Sequence, residues 1–144
     1  MIMKSTFATF VLVVMLSACA PRAATAVVVE PHDPLLCAIA DNPGNYDGKE
    51  VVLSAGYRTD NRHFETLHNP NCSGGGRILD IGRHGGSAPV ARFYAEQKRL
   101  CLKRGASALC NTAAVVEVSG RVRLKPEGGV FFDLEDVRSF RFEE

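Results

Sequence analysis

The stretch Asp41–Tyr57, DNPGNYDGKEVVLSAGY, decides the fold. It opens on turn formers, Asn42-Pro43-Gly44-Asn45 and Asp47-Gly48. It then changes to period two, with Val51, Leu53, Ala55 and Tyr57 on one face of a strand expected over Lys49–Thr59. Gly56 interrupts that strand, where glycine costs about 0.5–1 kcal/mol relative to alanine. A glycine placed there marks a bulge, a bend or a close approach by another group.

The pattern continues in short strands. Asp60-Asn61 supplies a tight turn, His63–His68 reads as a second strand, and Asn69–Gly76 is a loop holding Cys72. Arg77–Gly82 (RILDIG) reads as a third strand, broken by Gly85-Gly86-Ser87. The period then becomes helical. From Pro89-Val90 to about Lys103, the residues Val90, Phe93, Tyr94, Leu100 and Cys101 share one face, and Gly105 after Lys103-Arg104 stops the helix. Ala114–Leu124 is a fourth strand, with Val116, Val118, Val122 and Leu124 inward. After a Pro126–Gly129 turn, Val130–Phe142 is a fifth, with Val130, Phe132, Leu134, Phe140 and Phe142 on one parity. Asp136 and Arg138 break that parity, which predicts a bulge or bend. Upstream, Asp33 is an N-cap and Pro34 a first-turn residue for a short helix presenting Leu35, Leu36, Cys37 and Ile39.

The fold class is therefore mainly β with one or two helices: βββαββ after a short N-terminal helix. This order resembles the OB-fold, a five-stranded Greek-key barrel with a helix between its third and fourth strands. The phrase NPGNYDGKEVVLSAGY, after a short Cys-bearing helix, is similar to the opening of small bacterial exported OB-like domains. Another α+β antiparallel sheet is the alternative. The resemblance implies that Gly56 bends a long first strand so that it pairs with two neighbours. Gly120 in the fourth strand implies a second bend, where backbone crowding excludes a Cβ.

The N-terminus, MIMKSTFATFVLVVMLSACAP, carries one early charge, Lys4, then an apolar run from Phe7 to Leu16. That is a secretory signal too short to span a bilayer. Leu16-Ser17-Ala18-Cys19 resembles the lipobox of bacterial lipoproteins. The resemblance implies cleavage after residue 18 and lipidation, palmitate included, at Cys19. It also implies a cell-envelope location, on the outer membrane facing the periplasm in a source with two membranes, because Ala20 rather than Asp follows the cysteine. The expected organisation is a signal peptide over 1–18, a flexible tether over 19–33 and one OB-like domain over 34–144. The four remaining cysteines, Cys37, Cys72, Cys101 and Cys110, imply two disulfides in an exported domain. Of three pairings, Cys37–Cys72 and Cys101–Cys110 are favoured, since each joins an element to a nearby segment.

Without Lys4 the acidic and basic residues balance, which argues against a nucleic-acid binder. Five basic residues in Arg92–Arg104 and six acidic ones in Glu127–Glu144 read as two solvated faces that the fold brings together. Asp133 and Glu135 are expected to oppose Arg121 and Arg123 across a hairpin rather than hold calcium. No nucleophile motif, metal set or cofactor fingerprint is present, so no catalytic residue, metal or cofactor is assigned. Ligand contact is expected at Asp60, Asn61, Arg62, His63, Phe64 and Lys125, the hairpin-loop positions through which OB-folds bind. The expected function is a lipid-anchored envelope binding module for a protein, a glycan or a small ligand, without catalysis. The alternatives are a small envelope hydrolase using a loop histidine and a purely structural envelope protein. An enzyme requires His63, His68 or His84 to converge with a carboxylate in one concave pocket. A binding module requires an exposed apolar or aromatic patch on the face of the second and third strands.

Overall fold

The computed structural model describes residues 33–106 and 109–143. The signal segment, Cys19 and the tether up to residue 32 lie outside the described residues. The chain is mainly β: five strands in one mixed sheet, with two α-helices. The elements are α1 (Pro34–Asp41), β1 (Glu50–Thr59), β2 (Glu65–Asn69), β3 (Arg77–His84), α2 (Ala88–Lys103), β4 (Thr112–Leu124) and β5 (Val130–Phe142). Every strand pairs with two others in the order β1-β2-β3-β5-β4, and β4 returns to β1, so the sheet closes as a barrel. All pairs are antiparallel except β3 with β5.

Local chemistry explains the helix starts. Asp33 Oδ1 accepts from Leu35 N at 2.8 Å, satisfying one of the free N–H groups at the start of α1, and Pro34 occupies the first turn. The other Asp33 oxygen reaches Ser54 N in β1 at 3.3 Å, so the cap also seats the helix. Leu36 and Ile39 are fully buried, worth about 1.5–3 kcal/mol each. A Cys37–Cys72 disulfide ties α1 to the loop after β2. Ser87, which reads as loop in the sequence, caps α2 by accepting from Val90 N at 3.3 Å.

The parity break in β5 resolves into two shifts. Ser119 pairs with Asp136 but Gly120 pairs with Leu134, which leaves Glu135 without a partner in the ladder. Glu117 pairs with Ser139 but Val118 pairs with Val137, which leaves Arg138 without one. Each extra residue flips the alternation. Val130, Phe132 and Leu134 point inward, then Val137, and after the second flip Phe140 and Phe142 pack against the core. Leu124, expected inward, is 40% exposed at the last position of β4.

Gly56 sits where the expected pairing with two neighbours begins, and it also has a steric reason. It is the first β1 residue paired on both sides, with His68 of β2 and Val115 of β4. A Cβ on Gly56 would stand 2.5 Å from His68 Nε2 and 2.9 Å from Nδ1, and nearer still to Cε1. The glycine makes room for the Cε1 edge of the His68 imidazole. At Gly120, a Cβ would collide with the carbonyl oxygen of Asp133, in keeping with the expected crowding.

Phe93 of α2 closes one end of the sheet. Its ring meets Tyr57 at 4.9 Å, Tyr94 at 5.1 Å, and Phe140 and Phe142 at 5.2 Å each. A Cys101–Cys110 disulfide holds the end of α2 to the segment entering β4. The basic helix and the acidic C-terminal strand form no ion pair with one another among the described residues. Instead β5 is neutralised by its hairpin partner: Arg123 lies 2.7 Å from Asp133, and Arg121 lies 3.6 Å from Glu135.

Candidate functional site

The Asp60–Phe64 segment expected to carry ligand contacts is a turn built on one carboxylate. Asp60 Oδ1 accepts from the backbone N–H groups of Arg62, His63 and Phe64 at 2.9, 2.6 and 3.2 Å. Its Oδ2 lies 2.7 Å from His63 Nδ1. Desolvation raises the Asp60 pKa, but these backbone donors and the His63 ring together hold it well below the ordinary carboxylate range. Thr59 Oγ1 donates to Phe64 O at 2.7 Å and accepts from Asn61 N at 2.9 Å, and Asn61 takes a left-handed φ of 65°. Cys110 N donates to Asp60 O at 3.1 Å, so the Cys101–Cys110 bridge braces this turn from behind. The turn displaces the start of β2 from His63 to Glu65, and His63 is a loop residue rather than a strand residue.

Directly after the turn, Glu65 faces the barrel end. Tyr57 OH donates to its Oε1 at 2.8 Å, and Tyr94 OH makes a short bond to the same oxygen. His84 Nε2 lies 2.6 Å from Oε2. Burial, and then the charge of Glu65, raise the pKa of both phenols far above their ordinary range, so they stay protonated donors. The His84 ring also packs on Tyr94 at 4.7 Å. His84 arrives here because β3 continues two residues beyond its expected end at Gly82.

These groups enclose a cleft of about 360 Å³. Asn61, Arg62, His63 and Phe64 of the turn line it together with Glu65, His84, Tyr94 and Gln97. Four of the six expected ligand residues therefore meet in one place. The remaining two do not. The Asp60 carboxylate is spent on holding the turn. Lys125 lies elsewhere, 2.5 Å from Asp80 and over the Phe131 ring at 4.3 Å. The sequence reading missed Tyr94 and Gln97, which fall on the helix face assigned to the core. Gln97 is buried and donates to Thr112 Oγ1 at 3.3 Å.

Charge in the cleft is lopsided. Arg62 forms no ion pair among the described residues, whereas both Glu65 oxygens are already engaged. Phe64 is 46% exposed at the rim and also lines a second cleft of about 380 Å³ with Arg58 and Asn111. Ile78, on the outer face of β3, is 61% exposed beside His68 and Arg77. His68 stands apart from the other two histidines, with its ring over Gly56 and its Nδ1 buried without a hydrogen-bond partner among the described residues. Burial foremost, and then the charge of Arg58, depress its pKa.

The chain matches no protein-family model, no curated protein and no solved structure.

Proposed function

We propose that this protein is an exported, lipid-anchored cell-envelope module that takes a small anionic ligand into the cleft at one end of an OB-like barrel. The strand order β1-β2-β3-β5-β4, with α2 between β3 and β4, supports the OB-like reading. The Leu16-Ser17-Ala18-Cys19 sequence supports the anchor. One observation carries the choice of ligand: the cleft holds an unpaired Arg62 beside His63 and His84, while its single carboxylate, Glu65, already accepts from two phenols. An anion entering it gains charge-assisted hydrogen bonds and meets no free acceptor oxygen from Glu65. The exposed Phe64 edge and the buried Gln97 amide suit a ligand that is part ring or alkyl and part polar.

Two experiments test this reading. Titrating inorganic phosphate into the full chain is expected to shift the NMR signals of the His63 and His84 rings, and Arg62→Ala to weaken binding roughly tenfold. Shifts confined to Lys125 or Ile78 would place the site elsewhere. Cys19→Ala is expected to release the protein from membranes, and unchanged lipid labelling of that variant would sink the anchor.

A second reading, a small hydrolase, is favoured by one feature. Two histidines that line the same cleft are each backed by a carboxylate: Asp60 for His63 and Glu65 for His84.

A further inference from the structure

We propose that the cleft hydrolyses phosphodiesters, with His63 as general base, His84 as general acid and water as the nucleophile. This goes beyond ligand capture but rests on the same cleft.

The two imidazoles are differently presented and each is oriented. His63 Nδ1 faces Asp60 Oδ2 at 2.7 Å, which leaves Nε2 as the free ring nitrogen. The ring is 63% exposed at the cleft rim, where water reaches it. His84 is held through the opposite nitrogen: Nε2 faces Glu65 Oε2 at 2.6 Å, and Nδ1 is the free one. Glu65 is itself fixed by Tyr57 and Tyr94, and the His84 ring rests on Tyr94. A base and an acid that share a cavity and are separately oriented form the minimum set for acid–base hydrolysis.

The cleft lining holds no serine or cysteine, its Thr59 hydroxyl is engaged with Phe64 O and Asn61 N, and both its phenols are engaged with Glu65, so water is assigned as the attacking group. The choice of a phosphorus over a carbonyl centre follows from where the donors point. Acyl transfer needs backbone N–H groups aimed at a developing oxyanion. The loop N–H groups of residues 62, 63 and 64 are all turned onto Asp60 Oδ1. What remains is the unpaired guanidinium of Arg62, which fits the equatorial oxygens of a phosphoryl group.

The step balances. His63 Nε2 takes a proton from water as its oxygen bonds to phosphorus. The bond from phosphorus to the leaving oxygen breaks, and the proton on His84 Nδ1 passes to that oxygen. One diester and one water become one monoester and one alcohol. The histidines end with their protonation states exchanged, and solvent restores them.

Leaving-group dependence tests the assignment on the full chain. A p-nitrophenolate leaving group needs little help from an acid, and an alkoxide needs much. The wild type is expected to cleave both bis(p-nitrophenyl) phosphate and methyl p-nitrophenyl phosphate, and also glycerophosphocholine, a diester with alkoxide leaving groups. His63→Ala is expected to slow all three by about a hundredfold or more. His84→Ala is expected to spare the nitrophenyl substrates within a few-fold and to abolish release of choline or glycerol. His63→Gln, which keeps the bulk of an exposed loop residue, guards against a folding artefact, and an unchanged melting temperature certifies each variant. Equal rates for wild type and His63→Gln, or no turnover by the wild type, would overturn the proposal. Persisting phosphate-induced shifts at His63 and His84 would then show that ligand capture stands and only the chemistry fails. Loss of both would remove the site altogether. A short single-stranded RNA and glycerophospholipid vesicles, offered separately, distinguish a nucleic-acid from a lipid-headgroup source of the diester.

Discussion

Gly56→Ala is the sharpest test of how this barrel is packed. The new methyl would lie 2.5 Å from His68 Nε2 and 2.9 Å from Nδ1, well inside van der Waals contact. Either the ring leaves its place over β1 or the β1–β2 pair spreads. Overpacking of this kind costs about 1–3 kcal/mol. Against it, alanine in a strand interior regains about 0.5–1 kcal/mol over glycine. The balance is a destabilisation of up to about 2.5 kcal/mol. At roughly 4 °C per kcal/mol for a domain of this size, the melting temperature should fall by up to about 10 °C. The informative background is His68→Ala. With the ring gone the methyl loses its three nearest neighbours, so Gly56→Ala should become neutral or slightly stabilising. The double-mutant cycle should then yield a coupling of about 1–3 kcal/mol. Urea or thermal melts of the four proteins supply the measurement. Equal losses in both backgrounds would refute the argument and return Gly56 to a purely backbone role.

Further outcomes follow from the same geometry. Glu65→Ala removes the shared acceptor of the Tyr57 and Tyr94 hydroxyls and should cost about 1–3 kcal/mol in urea melts; a smaller loss would mean that the phenols find other acceptors. His68 carries a pKa depressed by burial, so below about 6.5 the unfolded chain takes up a proton that the native state resists. Its contribution to stability is whole above that pH and is lost as pH falls toward the lower native value. Urea midpoints should therefore drop more steeply between pH 7 and 5 in the wild type than in His68→Gln, and parallel slopes would exclude this source. Opening Cys37–Cys72, which spans 35 residues, should cost roughly 3.8 kcal/mol by chain entropy, against roughly 2.6 for the 9-residue span of Cys101–Cys110. Serine pairs at each bridge, compared by thermal melts, should keep that order.

Element order was legible because period two and period 3.6 were both clean: Val116, Val118 and Val122 alternate with half-buried neighbours, and Val90, Phe93 and Cys101 recur on one helix face. The kink in β5 was legible too, as a parity break at Asp136 and Arg138, although the two single-residue shifts behind it were not. The disulfides followed from position, and the structure carries both favoured bridges. What escaped depends on non-local contact. Gly82 looks like a strand terminator, yet Asp133 Oδ1 and Phe131 Cβ crowd the side where its Cβ would lie, and β3 runs on through it to His84. Asp60 has the chemistry of a ligand contact, and only the fold shows that its oxygens face the backbone of its own turn. Tyr94 reads as core beside Phe93, and Gln97 falls on the same helix face without being singled out by the apolar period. They are core on one side and cleft wall on the other, because α2 lies across the open end of the barrel.

That double role ties the packing of the barrel end to the polar lining of the cleft. Glu65 occupies an inward position of β2, paired with Thr59, where an apolar residue would serve the barrel at least as well. A carboxylate that is only 18% exposed is costly unless its oxygens are satisfied. Here three side chains from three elements, Tyr57 of β1, Tyr94 of α2 and His84 of β3, satisfy it. The cost is thus offset by contacts that a structural barrel end would not require, and each of them places a polar group at the wall of the same cleft. An apolar residue at position 65, with phenylalanine in place of Tyr57 and Tyr94, would close the barrel with fewer polar groups to satisfy. The polar cluster lies at the α2 end of the barrel, away from the Lys125 hairpin.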